Sequence, residues 1–150
     1  MISFENRVAV VTGAGRGLGA GYARLLASRG AAVVVNDPGV AADGTATEAT
    51  PAEEVAAEIR AAGGAAVAEH SSVSTPEGGA AIVQKALDEF GRVDILINNA
   101  GILRDKAFHN LEWPNLDAVL DVHLRGAFYV TQPAFRAMRA QAYGRIVFTA

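Results

Sequence analysis

The segment that most constrains the fold is residues 11–30, VTGAGRGLGAGYARLLASRG, in which an apolar stretch runs into closely spaced glycines. Gly13, Gly15, Gly17 and Gly19 lie between this stretch and a segment with a helical pattern. Glycine inside a regular element costs about 0.5–1 kcal/mol relative to alanine. Four glycines at this point therefore indicate a sharp backbone turn or a ligand that approaches the backbone very closely.

Apolar, β-branched runs alternate with helical patterns along the chain. The runs predict strands at 7–12, 31–37, 65–73, 92–101 and 144–150. The helical patterns lie at 17–30, 50–64, 75–91 and 112–141. Continuously apolar strands are typical of a parallel sheet that is covered on both faces. The sequence thus predicts an α/β fold, a Rossmann-type doubly wound parallel sheet with strand order 3-2-1-4-5, in a single domain at 1–150.

Turn and capping residues separate these elements. The Thr-Pro pairs at 50–51 and 75–76 each place a threonine cap before a proline at the first helical position. Residues 38–50 are small, polar and interrupted by glycine and proline, which predicts a loop. Pro133 lies inside the last helix, where it removes one backbone hydrogen bond, so we expect a kink there. The last run, GRIVFTA, predicts one more buried strand.

The glycine cluster follows the first strand at the carboxyl edge of the predicted sheet, where ligands of such sheets bind. Gly13 permits a tight turn, Gly17 lets a pyrophosphate meet the backbone, and Gly19 lets the helix pack closely on the sheet. The N-terminus of that helix offers free N–H groups and the positive end of its dipole to phosphates. A purely structural turn is the alternative, and the placement between strand and helix favours dinucleotide binding.

Asp37 ends the second strand, 18 residues after Gly19. A carboxylate there can accept hydrogen bonds from both ribose hydroxyls of the adenosine half of NAD and repels the 2′-phosphate of NADP. The alternative is a turn residue ahead of Pro38. Arg16 favours the opposite cofactor preference, because a basic side chain in the glycine loop could contact a 2′-phosphate. Asp37 is the stronger determinant, and NAD is the expected cofactor.

The glycine spacing is T-G-x-x-x-G-x-G, TGAGRGLG at 12–19, and the fourth strand ends in NNAG at 98–101. Together these motifs resemble those of the short-chain dehydrogenase/reductase family over the whole chain. The segments VVVNDPG, NNAGILRDKAF and VHLRGAFYVT are similar to the (3R)-hydroxyacyl-CoA dehydrogenase portion of peroxisomal multifunctional enzymes and bacterial relatives. That resemblance implies NAD-dependent oxidation of a 3-hydroxyacyl thioester to its 3-oxo form, with 3-oxoacyl-carrier-protein reductase as the alternative.

The resemblance also implies a set of cofactor-binding residues. Those expected along the pyrophosphate are Gly13, Arg16, Gly17, Leu18 and Gly19. Those expected at the adenosine end are Asp37 for the ribose and Ser72 and Val73 beside the adenine. Those expected beneath the nicotinamide-side ribose are Asn99, Ala100 and Gly101, with Asn99 also bracing the central strand. Ser71 stands where many members of the family have an aspartate that contacts the adenine.

The histidines and four aromatic residues are expected to have roles other than cofactor binding. His123 lies where much of the family has the asparagine that supports a proton-relay water, and a core histidine bonded to a backbone carbonyl is an equal alternative. His70 and His109 have no ligand spacing between them and are expected to face solvent. The aromatic residues expected to serve packing and interfaces are Phe128, Tyr129, Phe135 and Tyr143.

The catalytic residues of the family are a serine after the fifth strand and a Tyr-x-x-x-Lys motif beyond it. Residues 1–150 contain no Tyr-x-x-x-Lys, so we expect no catalytic residue among them. We interpret the chain as the cofactor-binding part of a longer dehydrogenase. A natural truncated dinucleotide-binding protein and a remnant without function are the alternatives.

The charge and composition of the chain limit the classes of partner and ligand that it can bind. The formal net charge is −3 and the basic residues are scattered, which argues against a nucleic-acid partner. The chain has no cysteine, so disulfides and thiolate metal sites are excluded, and we expect no metal. No apolar run approaches the roughly 18 residues of a membrane span, and the first residues do not resemble a signal peptide, so we expect a cytoplasmic protein. The family resemblance implies a small-molecule substrate, acyl-CoA, and a homo-oligomer.

Overall fold

The computed structural model describes residues 2–39 and 50–149. Its five parallel strands form one sheet in the order β3-β2-β1-β4-β5. The strands are β1 (Val8–Thr12), β2 (Ala32–Asn36), β3 (Ala65–Glu69), β4 (Ile95–Asn98) and β5 (Arg145–Phe148). The predicted Rossmann-type topology is confirmed, and the strands at β3 and β4 are shorter than the sequence pattern indicated.

Helices cover both faces of the sheet. The α-helices of the described residues are α1 (Gly17–Ser28), α2 (Pro51–Ala61), α3 (Pro76–Phe90), α4 (Trp113–Leu120) and α5 (Gly126–Ala140). α1 and α2 pack on the face that carries Val11 and Val33, and α3 and α5 pack on the face that carries Val10 and Val34. Every residue of β1 is buried, because this central strand lies between the two helical layers.

The predicted capping residues begin α2 and α3. Thr50 Oγ1 accepts a hydrogen bond from the N–H of Glu53 at 3.3 Å. Thr75 Oγ1 accepts one from the N–H of Gly78 at 3.0 Å. Each bond satisfies an N–H group that has no partner within the helix, and the proline that follows each threonine has no N–H to satisfy.

The prediction that β5 is buried is wrong. Val147 and Phe148 are 47% and 59% exposed. β5 lies at the edge of the sheet, and within residues 2–39 and 50–149 it pairs with β4 alone. An apolar run shows that a strand can be buried, but burial also requires a neighbouring layer, and none of the described helices packs extensively on β5.

The single helix predicted at 112–141 is present as one continuous helical run that contains a π-helical turn. α4 and α5 are joined by a π-helical turn at Asp121–Arg125. Such turns add one residue to the helical repeat and occur frequently at functional sites. Pro133 lies inside α5, and the kink expected there stays a prediction.

The loop predicted at 38–50 falls largely on residues 40–49, which lie outside the described residues. Gly39, before that gap, has a φ of +71°. None of the helices in the described part of the chain is both long enough and apolar enough to cross a membrane.

Candidate dinucleotide-binding site

The residues expected to bind a dinucleotide gather at one edge of the sheet. Because the strands are parallel, the loops that follow β1, β2, β3 and β4 all leave from the carboxyl edge. The glycine loop follows β1, Asp37 follows β2, Ser72 and Val73 follow β3, and Asn99, Ala100 and Gly101 follow β4. Residues distant in sequence thus share one edge.

Two glycines of the loop after β1 have left-handed backbones. Gly13 has a φ of +60° and Gly17 a φ of +54°. A Cβ on Gly13 would lie 2.8 Å from the Cα of Ala100, so the loop after β4 approaches the turn closely. A Cβ on Gly17 would have no described heavy atom within 4 Å. The backbone of Gly17 therefore faces open space, which fits the approach of a pyrophosphate.

Gly19 provides close packing, although its neighbour differs from the expected one. A Cβ on Gly19 would lie 2.6 Å from the side-chain nitrogen of Asn99 and would also collide with the carbonyl oxygen of Gly13. Its close contacts are therefore with the two loops at the edge of the sheet and not with the strands beneath α1.

The N-terminus of α1 differs from those of α2 and α3. In the described residues no side chain caps its first turn, and Arg16 stands at the cap position with an extended backbone. The first N–H groups of α1 are thus free to bind an anion, and the helix dipole favours one. Arg16 and Leu18 are exposed, Leu18 by 71%, and both flank this turn.

Both carboxylate oxygens of Asp37 accept hydrogen bonds from backbone N–H groups. Its Oδ1 accepts a hydrogen bond from the N–H of Gly39 at 3.0 Å, as in a turn. Its Oδ2 accepts one from the N–H of Gly15 at 3.1 Å, inside the glycine loop. A Cβ on Gly15 would lie 2.8 Å from Oδ2 and 2.6 Å from Pro51 Cβ. Sequence reasoning gave Gly15 no role, although it was one of the four glycines.

The two residues after β3 have different environments. Val73 is 6% exposed and belongs to the core, where it packs against Gly126 of α5. Ser72 is exposed, and its Oγ lies 2.7 Å from Oγ of Ser74. Within this pair, only Ser72 therefore has a side chain open to solvent at the edge of the sheet.

Asn99 braces the central strand, as expected. Its side-chain nitrogen donates to the carbonyl oxygens of Thr12 and Gly13, at 3.0 and 3.1 Å. The side chain of Thr12 also binds the loop after β4. Its Oγ1 accepts hydrogen bonds from the N–H groups of Asn99 and Ala100, both at 3.1 Å. The sequence interpretation assigned no role to Thr12, although its position immediately before Gly13 could have indicated one.

His123 lies on the π-helical turn and contacts the loop after β4. Its Nε2 is 3.0 Å from the backbone nitrogen of Ile102 and 2.9 Å from the carbonyl oxygen of the same residue. A Cβ on Gly101 would lie 2.7 Å from the imidazole, so the ring packs directly on that glycine. The side chain is exposed, so the interpretation as a core histidine is wrong. His70 and His109 are exposed, as expected.

A small cavity lies between β1, β4 and α5 at the same edge. Its volume is about 50 Å³, and its lining includes Thr12, Asn98, Ala100, His123 and Thr149. Thr149 Oγ1 donates to the carbonyl oxygen of Asn98 at 3.3 Å, so this hydroxyl is held at the end of β5. The cavity adjoins the residues expected beneath the nicotinamide-side ribose.

The strongest charge cluster lies at the opposite, amino edge of the sheet. The carboxylate of Asp94 has no exposed surface and accepts hydrogen bonds from Arg92, from Arg7 and from the N–H of Val8. Burial raises the pKa of the Asp94 carboxyl, but these hydrogen bonds and the charge of Arg92 outweigh it and hold the pKa below its ordinary value. This cluster ties β1 to the start of β4 and lies away from the candidate site.

Comparisons with known proteins agree with this geometry. The sequence model described as short chain dehydrogenase matches residues 7–150. A Mycobacterium tuberculosis protein described as a short-chain type dehydrogenase/reductase is 54% identical over 98% of this chain and 51% of its own length. The peroxisomal multifunctional enzyme type 2 of Drosophila melanogaster is 51% identical over 99% of this chain and 24% of its own length.

A solved structure shows the same fold. The crystal structure of a short chain dehydrogenase from Mycobacterium avium superposes with a TM-score of 0.87 at 42% identity, covering 97% of this chain and 54% of that one. The present chain spans about half the length of that protein and of the M. tuberculosis relative. The family and the Rossmann-type fold imply a nicotinamide dinucleotide as the cofactor. On the glycine loop, the NNAG turn and these likenesses, the chain belongs to the short-chain dehydrogenase/reductase family.

Proposed function

We propose that the protein takes part in the NAD-dependent oxidation of a 3-hydroxyacyl thioester to the 3-oxo form. The observation that carries the cofactor half of this proposal is the position of Asp37, whose carboxylate lies at the end of β2 and is bound to the N–H of Gly15. A second negative charge, such as the 2′-phosphate of NADP, would meet this carboxylate at short range. The dinucleotide preferred on this ground is NAD.

In this proposal the dinucleotide lies across the carboxyl edge of the sheet. The residues proposed to line the pyrophosphate are Gly13, Arg16, Gly17, Leu18 and Gly19. Those proposed for the adenosine end are Asp37, Ser72 and Val73, and those for the nicotinamide-side ribose are Asn99, Ala100 and Gly101. When bound, NAD supplies the hydride acceptor. The chain's own part is to bind it, to orient it and to keep the loops after β1 and β4 together.

The substrate half rests on the likeness to multifunctional enzymes. Besides the Drosophila protein, a peroxisomal hydratase-dehydrogenase-epimerase of Saccharomyces cerevisiae is 50% identical over 99% of this chain. These names, together with the segments VVVNDPG and NNAGILRDKAF, support a 3-hydroxyacyl-CoA substrate. The proposal includes the cytoplasm as the compartment and a homo-oligomer as the assembled form.

A second candidate function is the reduction of 3-oxoacyl-carrier-protein. A 3-oxoacyl-[acyl-carrier-protein] reductase of Synechocystis is 38% identical over 98% of this chain. Arg16 supports this alternative, because it is exposed beside the glycine loop, where it could contact a 2′-phosphate. The lower identity and the carboxylate of Asp37 favour the first function.

We also propose that residues 1–150 form one dinucleotide-binding domain that has no turnover by itself. Proton removal from an alcohol needs a positioned base, and none of the three tyrosines is followed by lysine four residues later. Tyr143 lies at the amino edge of the sheet, with the guanidinium of Arg7 3.7 Å from its ring centre. It is therefore remote from the candidate site.

The experiment measures NADH formation from 3-hydroxyacyl-CoA by the full-length product of the gene and by residues 1–150. We expect turnover with NAD in the first and NAD binding without turnover in the second. Preferred reduction of 3-oxoacyl-carrier-protein with NADPH by the full-length product would establish the alternative function. Turnover by residues 1–150 that disappears in His123→Ala would make His123 the base and contradict the proposal for this domain.

A further inference from the structure

Two buried polar side chains meet between the carboxyl ends of β2 and β3. Asn36 has no exposed surface, and Glu69 is 9% exposed. The side-chain nitrogen of Asn36 donates to Oε2 of Glu69 at 2.6 Å. The two residues are also opposite each other in the parallel ladder, so the pair is held by backbone and side chain alike.

The pair binds both backbone groups of Ser71. The N–H of Ser71 donates to Glu69 Oε1 and Oε2 at 3.0 and 3.1 Å. The carbonyl oxygen of Ser71 accepts a hydrogen bond from the side-chain nitrogen of Asn36 at 2.9 Å. Ser71 is thereby fixed from both sides, and the chain that continues into Ser72 and Val73 leaves from a defined position.

The same pair adjoins Asp37. Asn36 precedes Asp37 directly, and the N–H of Asp37 donates to the carbonyl oxygen of Glu69 at 3.0 Å. The end of β2 and the loop after β3 are therefore connected through one small polar network. Glu69 therefore contacts both the backbone of Asp37 and the loop at Ser71.

Burying this polar network costs free energy that an apolar contact between β2 and β3 would not. Glutamate is almost never fully buried without a cationic partner, and no described lysine or arginine forms an ion pair with Glu69. Oδ1 of Asn36 is buried and has no hydrogen-bond partner among the described residues. Apolar side chains at these two positions would avoid both costs, so folding by itself does not require the pair.

We propose that Asn36 and Glu69 are positioning residues for the adenosine half of the dinucleotide, because they fix the backbone of Ser71 and hold the loop that flanks the adenine in register with Asp37. This inference rests on the dinucleotide binding proposed above. Neither side chain touches the ligand, since both are buried. They act through the backbone of Ser71.

The test is Glu69→Gln, with AMP and NADH as probes in calorimetry of the purified protein. A glutamine at 69 has one acceptor oxygen in place of two, so its NH2 group faces either the N–H of Ser71 or the NH2 group of Asn36. In the first orientation the N–H of Ser71 loses one of its two acceptors, and in the second the Asn36 amide rotates to offer its oxygen and the carbonyl of Ser71 loses its donor. We expect the affinities for AMP and for NADH to fall by the same factor, about tenfold. Equal factors would place the whole loss at the adenosine end.

A matched control and a second variant separate positioning from general stability. Glu58→Gln makes the same charge change on the exposed side of α2, where Glu58 pairs with Arg24, and we expect AMP affinity to stay at the level of the unmodified protein. In Asn36→Asp combined with Glu69→Gln, donor and acceptor match again between the two side chains, but the carbonyl of Ser71 still has no donor. We expect this double variant to bind AMP as weakly as Glu69→Gln, whatever its melting temperature.

The outcomes distinguish the two proposals. If the unmodified protein binds neither AMP nor NADH, the proposed function fails and this inference fails with it. If it binds both and Glu69→Gln binds AMP within about twofold as well, the positioning role is overturned while the proposed function stands. Recovery of AMP affinity in the double variant would also overturn it, because the effect would then follow the pairing of the two side chains and not the backbone of Ser71.

Discussion

Oδ2 of Asp37 accepts a hydrogen bond from the backbone N–H of Gly15 at 3.1 Å. This contact joins the end of β2 to the glycine loop after β1, the two segments that we propose to contact one dinucleotide. A Cβ on Gly15 would come within 2.8 Å of the same oxygen, so a glycine is needed for the contact. The residue proposed to distinguish between the two cofactors is thus held by the loop proposed to bind their phosphates.

Asp37→Ser should reduce the preference for NAD over NADP by about tenfold or reverse it, because the carboxylate that repels a 2′-phosphate is removed. Calorimetric titration of the variant and the unmodified protein with both cofactors measures the change. Equal affinities for NAD and NADP in the unmodified protein would contradict the assignment of Asp37.

Gly17→Val should abolish dinucleotide binding while leaving the helical content almost unchanged. The open space beside Gly17 is where the pyrophosphate is proposed to lie, and a left-handed backbone costs a non-glycine residue about 1–2 kcal/mol. Far-UV circular dichroism and NADH titration together measure the two effects. Gly21→Val is the matched control, since Gly21 lies in α1 with open space beside it and should retain affinity. Unchanged NADH affinity in Gly17→Val would show that the phosphates bind elsewhere.

Thr12→Val should lower the free energy of unfolding by about 1–3 kcal/mol, because two partly buried N–H groups lose their acceptor. These are the N–H groups of Asn99 and Ala100, which Thr12 Oγ1 now holds. The same change should weaken NADH binding, as the loop after β4 is released. Urea denaturation and NADH titration measure the two effects. Thr12→Ser keeps the hydroxyl and should lose less of both quantities than Thr12→Val, and a loss in Thr12→Val no larger than that in Thr12→Ser would show that the hydroxyl does not hold the loop after β4.

Asp94→Asn should destabilise the protein by about 2 kcal/mol at neutral pH, because Arg7 and Arg92 lose a buried carboxylate. The pKa of Asp94 lies below its ordinary value in the folded protein. Its contribution is therefore fully present above about pH 4, the ordinary pKa, and is lost as the pH falls through the lower folded pKa.

The corresponding measurement is the unfolding free energy of both proteins across that acidic range. The difference between Asp94→Asn and the unmodified protein should shrink as the pH falls. Asp88→Asn provides the control, because Asp88 is exposed on α3 and should cost little at any pH. A difference that stays constant down to the lowest pH would show that the charge of Asp94 does not stabilise the fold.

The order of the elements followed from local patterns. The apolar runs and the Thr-Pro caps mark strands and helices because each depends on neighbours within a few residues. Parallel pairing and right-handed connections then restrict the strand order to few choices. The motifs TGAGRGLG and NNAG likewise predicted the edge at which Gly13 and Asn99 would meet.

What the sequence by itself determined is therefore the type and order of the elements and the edge that carries the site. The tertiary structure alone decided the burial of β5, the π-helical turn that carries His123, and the contacts of Asp37 with Gly15 and of Glu69 with Ser71. Burial depends on which layer covers a strand, and no pattern within the strand encodes that layer. The hydrogen bond from Gly15 to Asp37 spans 22 residues and the one from Asn36 to Glu69 spans 33. Such contacts depend on how the packed sheet orients each side chain, so they become visible only when the chain is folded.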